Sequence, residues 1–144
     1  MTAVTTAYSD KYLRAGGLQQ PAGGFISATF DAAVDNQLIT DIWQGLSIPA
    51  GMMVHDVGII VLTIEDETAT LDVGDGDVAD GFLDGVNLEV LGDSATGAYN
   101  SSADGSEYAG GKYYATADTI DCTFVTATED CKFILYAHVS KPRI

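Results

Sequence analysis

Short apolar segments separated by turn-forming residues dominate the chain from residue 25 onward. They are rich in Val, Ile, Thr and aromatic residues, and Gly, Pro, Asp and Asn bound them, which is typical of β-strands joined by turns. The predicted strands are FISATF (25–30), QLITDIW (37–43), GLSIP (45–49), MVHDVGIIVLTI (53–64), TATLDVG (68–74), GVNLEVL (85–91), KYYATA (112–117), TIDCTFVT (119–126) and KFILYAHV (132–139). This series predicts an all-β protein, a single β-sandwich or jelly-roll-like domain.

Apolar and polar residues alternate within the predicted strands, as expected for a sheet with one face in water. In the segment 119–126, Ile120, Cys122 and Phe124 share one face, while Asp121 and Thr123 share the other. We therefore predict that the first three side chains are buried and that the other two are solvated.

The connections and the rarity of helix also follow from the pattern. Pro-Ala-Gly at 49–51 predicts a corner between two strands, since proline presets the backbone and glycine accepts a positive φ. Trp43 closes an alternating segment and is predicted to be buried in the core. No window has the apolar stripe of an amphipathic helix, so helix is expected only as a turn or two, at 31–38 or 80–86.

Two segments lack a strand pattern. Residues 1–24 are predicted to form an extended N-terminal arm that precedes the sandwich domain, residues 25–144. The segment 92–111, GDSATGAYNSSADGSEYAGG, is predicted to be a long surface loop, and such loops in compact domains are often functional. Aromatic and basic side chains in these two segments are the predicted interface residues: Tyr8, Lys11, Tyr12, Arg14, Tyr99 and Tyr108.

Composition adds an acidic surface to this picture. The chain has 144 residues, enough for one domain with its own core, and 21 acidic against 6 basic residues give a net charge of −15. No lysine or arginine occurs between Arg14 and Lys112, so nucleic acid is not expected as a partner. No signal-like or membrane-spanning apolar segment is present in the sequence, which predicts a protein made in a cytoplasm without a membrane partner.

The segment TLDVGDGDVADGFLDGV, residues 70–86, concentrates aspartate and glycine. An EF-hand loop requires oxygen ligands, glycine and glutamate at fixed positions, and neither register, from Asp72 or from Asp75, supplies them. The favoured prediction is a series of tight turns in which carboxylates cap backbone N–H groups. An irregular calcium site built from Asp75, Asp77 and Asp80 is the alternative.

Catalytic motifs are missing from the sequence. His55 and His138 lie in separate predicted strands without a second ligand at metal-binding spacing, and no nucleophile elbow or phosphate-binding loop occurs. Cys122 and Cys131 are interpreted as structural thiols, with a disulfide across a hairpin as the alternative. The sequence therefore predicts a protein that is not an enzyme and that has no cofactor.

The order of these motifs resembles small β-sandwich structural proteins of tailed bacteriophages. The resemblance rests on IPAGMMVHDVGIIVLTI, on TATLDVGDGDVADGFLDGV, and on YYATADTIDCTFVTAT followed by KFILYAHV, and it covers roughly residues 45–139. It implies a non-enzymatic virion protein of the capsid decoration or cement type, on the capsid surface. Its implied partners are the major capsid protein and further copies of itself, as a homotrimer.

Two alternatives remain at this level. A head-fibre, tail or adaptor component of a virion would share the fold and composition. A carbohydrate-binding β-sandwich would use aromatic side chains beside carboxylates. The candidate residues for that function are Tyr99, Tyr108, Tyr113 and Tyr114, close to Asp104 and Glu107.

Overall fold

The computed structural model describes residues 24–35, 37–89, 98–104 and 106–142. The strands in these ranges are β1 (Gly24–Asp31), β2 (Ile42–Ile48), β3 (Met52–Thr63), β4 (Thr70–Gly74), β5 (Leu83–Asn87), β6 (Ala98–Asn100), β7 (Lys112–Tyr114), β8 (Asp118–Phe124) and β9 (Lys132–Ser140). A single helical turn, α1 (Ser101–Asp104), follows β6. Except for Gly24, which begins β1, the predicted arm with Tyr8, Lys11, Tyr12 and Arg14 lies outside the described residues and stays a prediction.

Two antiparallel sheets form a sandwich, as the sequence predicts. The five-stranded sheet has the order β1, β9, β3 and β6, and β7 pairs with a different part of β3. The four-stranded sheet has the order β2, β8, β4 and β5. The chain crosses between sheets at the Pro-Ala-Gly corner, where Gly51 has φ 87°. The predicted corner is therefore confirmed.

Alternation places the core between the sheets. In β9 every second residue is buried, beginning with Phe133. Phe30 lies at the centre of an aromatic cluster, with its ring centroid 5.2 Å from that of Trp43 and 5.1 Å from those of Phe124 and Phe133. The predicted burial of Trp43 is confirmed, since 4% of it is exposed.

Three local predictions are wrong. Segments 37–43 and 45–49 contribute one strand, β2, with a register shift beside Gly45, where a Cβ would lie 2.6 Å from Leu135 Cδ2. The described residues of 31–38 contain turns and no helix, and 80–86 contains a turn followed by the first residues of β5. The predicted loop 92–111 instead contains the strand β6, which pairs with β3, and the helical turn α1. Ser101 Oγ accepts a hydrogen bond from the Val57 amide at 2.9 Å and fixes α1 on β3.

Asp121 and the two cysteines are buried in the folded domain. Asp121 points away from the core side chains of β8, but its predicted solvation is wrong, because it is only 7% exposed. Cys122 and Cys131 are free and buried. The alternative of a disulfide across a hairpin is wrong, because β8 and β9 belong to different sheets.

No helix among the described residues has the length and apolar character needed to cross a membrane.

Candidate functional site

The aspartate-rich connection between β4 and β5 folds back on itself. Asp75 follows β4 directly and is 4% exposed. Its Oδ1 accepts hydrogen bonds from the amides of Asp77, at 3.0 Å, and Val78, at 2.9 Å. Asp72 Oδ1 accepts one from the Gly85 amide at 2.9 Å. For these two carboxylates the structure shows the backbone capping that the sequence predicts.

The second oxygen of Asp75 joins the connection to β7. Asp75 Oδ2 lies 2.6 Å from Lys112 Nζ and accepts a hydrogen bond from the Tyr114 hydroxyl at 2.7 Å. The Lys112 ammonium also lies 3.0 Å from Tyr108 Oη and 4.5 Å and 4.8 Å from the ring centroids of Tyr108 and Tyr114. We call Asp75, Tyr108, Lys112 and Tyr114 the Asp75 cluster.

Electrostatics hold this cluster in one protonation state. Burial opposes ionisation of Asp75, but hydrogen bonds from Lys112, Val78 and Tyr114 outweigh it and lower the pKa of Asp75. Burial also opposes the charge on Lys112, and Asp75 and Tyr108 overcome it and raise the pKa of Lys112. Burial, with the adjacent Asp75 carboxylate, raises the pKa of Tyr114. The cluster is therefore an ionised pair surrounded by neutral tyrosines.

The predicted calcium ligands separate in the structure. Among the described residues, carboxylate oxygens of Asp75, Asp77 and Asp118 lie within 4.8 Å of one another, whereas Asp80 is exposed and outside this group. Lys112 Nζ contacts Asp75 and also lies 3.4 Å from Asp77 Oδ2. The chain thus supplies a positive charge to Asp75 and Asp77. Calcium binding stays an untested alternative to the predicted absence of a cofactor.

The predicted contact tyrosines are partly used within the domain. The ring centroids of Tyr108 and Phe82 are 5.0 Å apart, in an edge-to-face arrangement. The backbone amide of Tyr108 donates a hydrogen bond to the Gly81 carbonyl at 2.6 Å. Tyr99 packs partly against the core and accepts a hydrogen bond from the Asn87 amide at 3.3 Å. Tyr114 is buried, while Tyr113 is 43% exposed. The four tyrosines therefore do not share one exposed surface.

A group of exposed apolar side chains surrounds the connection between β1 and β2. We define the β1–β2 surface as Val34, Leu38, Ile39, Ile42 and Val125, whose exposed fractions run from 45% to 82%. Backbone hydrogen bonds hold these segments together. The Thr40 amide donates a hydrogen bond to the Phe124 carbonyl at 2.7 Å, and the Phe124 amide donates one to the Asp41 carbonyl at 2.9 Å. Thr40 takes φ 71° in this turn.

Sequence reasoning missed this surface because it assigned 37–43 to a strand. The adjacent apolar pair Leu38 and Ile39 interrupts strict alternation, and this interruption is the feature of the sequence that argues against a strand there. Clustered exposed apolar residues of this kind are typical of protein interaction sites. The β1–β2 surface is therefore the candidate functional site.

A groove of about 460 Å³ lies beside this surface. It is lined by Asp35, Gln37, Ile42, Trp43, Gln44, Gly76 and Asp121. Burial raises the pKa of Asp121 to about 6, with further increases from Asp118 and Asp75 and a decrease from the Thr119 hydrogen bond. The groove thus joins an apolar rim at Ile42 to a carboxyl group that titrates near neutral pH.

Structural comparison associates this fold with phage capsids. The chain is similar to a chain of the acidic stable capsid structure of Helicobacter pylori bacteriophage KHP30, with a TM-score of 0.62 and 16% identity, covering 84% of this chain and 89% of that one. A chain of the capsid of Ralstonia phage GP4 is similar as well, with a TM-score of 0.60 and 16% identity. The match covers 87% of this chain and 89% of that one.

A chain of the cyanophage Pam1 capsid asymmetric unit is also similar, with a TM-score of 0.57 and 14% identity, covering 84% of this chain and 83% of that one. No protein-family model matches the sequence, and no curated protein sequence does. At these identities the likeness concerns the fold.

Proposed function

We propose that the chain is a non-enzymatic structural protein of a phage virion, a capsid decoration or cement protein that stabilises the head shell by bridging capsomers. The observation that carries this proposal is the β-sandwich shared with chains of three phage capsid structures over most of each chain. The proposed location is the outer surface of the capsid, after synthesis in the host cytoplasm.

The β1–β2 surface supports this proposal as the site of contact with the major capsid protein. Apolar side chains such as Leu38 and Ile39, 65% and 63% exposed, gain free energy when a partner removes them from water. Asp35 and Asp41 lie in the same connection, and a polar or charged rim around an apolar centre is typical of protein interfaces. This surface would therefore provide the binding free energy.

Shell stabilisation follows from binding alone. A protein that binds the assembled shell and not separated capsomers stabilises the shell by its binding free energy. Bridging two capsomers makes the second contact intramolecular, so that weak individual contacts add to strong attachment. Self-association as a homotrimer would supply several such contacts at one point on the shell.

The test uses heads of the parent phage that lack this protein. Purified chain is added, and bound chain is measured by sedimentation together with the temperature at which heads release their DNA. We expect saturable binding, a higher release temperature, and at least a tenfold loss of affinity in the Leu38→Asp/Ile39→Asp variant, since about 1.4 kcal/mol corresponds to a factor of ten.

Tyr113→Asp is the matched control. Tyr113 is exposed, but it pairs with Met53 at the opposite end of β3 from the β1–β2 connection, so this variant should bind as the wild type does. Absence of binding to heads would overturn the cement proposal. Binding to tails or fibres instead would favour the head-fibre, tail or adaptor alternative.

A further inference from the structure

The two histidines of the chain, which lie 83 positions apart in different strands, meet on the outer face of the five-stranded sheet. The ring centroids of His55 and His138 are 5.3 Å apart, with 47° between the ring planes. No local sequence pattern indicates this pair, because only the antiparallel pairing of β3 with β9 brings the two side chains together.

A β-bulge positions the pair. The pairing passes from Val54 opposite Val139 to Asp56 opposite His138, so His55 is the extra residue. Bulges change the direction in which side chains point. Because Val54 and Val57 are both buried, His55 and Asp56 share the outer side of β3, with Asp56 opposite His138 in the strand register.

The separation of the rings suits one shared metal ion. An imidazole nitrogen binds zinc at about 2.0–2.1 Å, which places each ring centre roughly 3.2 Å from the ion, and two such rings at a tetrahedral angle have centres about 5.2 Å apart. The observed separation is 5.3 Å. The separation of the ring centres therefore fits two imidazoles that share one ion.

Neighbouring side chains contact both rings. His55 Nε2 lies 2.7 Å from Ser140 Oγ. In the tautomer with the proton on Nε2, it donates to that oxygen and leaves Nδ1 as the ligand, a support that metal-bound histidines usually have. Phe25 stacks on His138 with centroids 4.6 Å apart and 19° between the planes, which limits the orientation of that ring.

We propose that His55 and His138 form a binding site for a divalent transition-metal ion such as Zn²⁺, with water at the remaining positions. Asp56, opposite His138 in the strand register, contributes a nearby negative charge. Imidazole ligands select zinc, copper and nickel over calcium and magnesium, so this site is chemically distinct from the predicted calcium ligands near Asp75. The bound ion would link β3 to β9, the pair of strands at the centre of the large sheet.

The experiment is calorimetric titration of the untagged full chain, freed of metal with chelator, with ZnCl₂. We expect one ion per chain and a higher melting temperature in zinc, because a ligand that binds only the folded state stabilises it. His55→Gln and His138→Gln should each weaken binding at least tenfold, and Asp56→Asn should weaken it less. An excess of CaCl₂ should not compete.

Asp77→Asn is the matched control, because it removes an exposed carboxylate of the aspartate group and leaves the histidines unchanged. Circular dichroism establishes that each variant is folded. The proposal is overturned if the chain does not bind zinc at millimolar concentration, or if the double variant His55→Gln/His138→Gln binds it as the wild type does. Loss of zinc binding in Asp77→Asn alone would likewise overturn it and assign the ion to the aspartates.

Discussion

Asp75 shows how much a single carboxylate contributes once it is buried. Its two oxygens accept hydrogen bonds from two backbone amides, an ammonium and two tyrosine hydroxyls, and its side chain has no exposed surface. Removing one member of such a pair leaves the other charge without its partner in a poorly solvated position. Asp77, with a side chain 80% exposed, contacts the same ammonium at 3.4 Å.

We therefore predict that Asp75→Ala lowers the free energy of unfolding by about 3–5 kcal/mol, while Asp77→Ala changes it by less than about 1 kcal/mol. Urea unfolding followed by tryptophan fluorescence, through Trp43, measures both. Equal effects of the two substitutions would contradict the assignment of Asp75 as the centre of the cluster.

Asp121 gives the fold a pH dependence of opposite sign to that of Asp75. Its pKa is about 6 in the folded chain against an ordinary value of 3.8. The folded state therefore binds the proton more tightly, and the stability linked to this group is complete below about pH 4 and falls as pH rises through 6. Asp121→Asn imitates the protonated form and keeps an oxygen for the Thr119 hydroxyl.

We expect Asp121→Asn to be more stable than the wild type at pH 7, by about 1–3 kcal/mol, and equal to it at pH 4. Melting temperatures of both proteins between pH 4 and pH 7.5 test this, and the value at pH 4 is the internal control. A constant difference across the whole range would show that Asp121 does not titrate in this window.

At the scale of elements, close backbone contacts make the aspartate connection possible. It turns so tightly that a Cβ on Gly74 would overlap the Val78 carbonyl oxygen and the Ala79 backbone. Gly76, two residues later in the same connection, has no atom closer than 3.7 Å to the position of a Cβ. Glycine is therefore required at the end of β4 and not at the tip of the connection.

Gly74→Ala should lower the free energy of unfolding by about 2–3 kcal/mol or more, because backbone atoms must move to admit the methyl group. Gly76→Ala should change it by about 0.5 kcal/mol or less. Denaturant unfolding compares the two variants directly. A neutral Gly74→Ala would mean that this connection does not pack against β4 in solution.

The whole molecule carries a net charge of −15, which opposes self-association. Like charges on adjacent copies repel over about 30 Å at 0.01 M salt, but over only about 8 Å at 0.15 M. The proposed homotrimer should therefore have a larger population at moderate salt. Light scattering at fixed chain concentration in about 0.01 M and in about 0.15 M NaCl tests this. A mass that stays constant between the two ionic strengths would contradict the electrostatic argument.

The sequence by itself determined the β-sandwich, the Pro-Ala-Gly corner, the burial of Trp43 and the backbone capping by Asp72 and Asp75. These follow from alternation and turn chemistry, which act between residues close in the chain. The error at 37–43 has the same origin. The local pattern there favours a strand, whereas contacts with residues 124–128 hold Leu38 and Ile39 in an exposed turn.

Only the tertiary structure decided the contacts between distant segments. Glu65 accepts hydrogen bonds from the amides of Glu129, Asp130 and Cys131 at 3.0–3.3 Å. The Lys112 ammonium forms an ion pair with the Asp75 carboxylate. His55 and His138 meet through strand register and a bulge. Side chains that are far apart in the sequence acquire a shared environment only when the sheets pair and pack, and no periodicity within one segment encodes that placement.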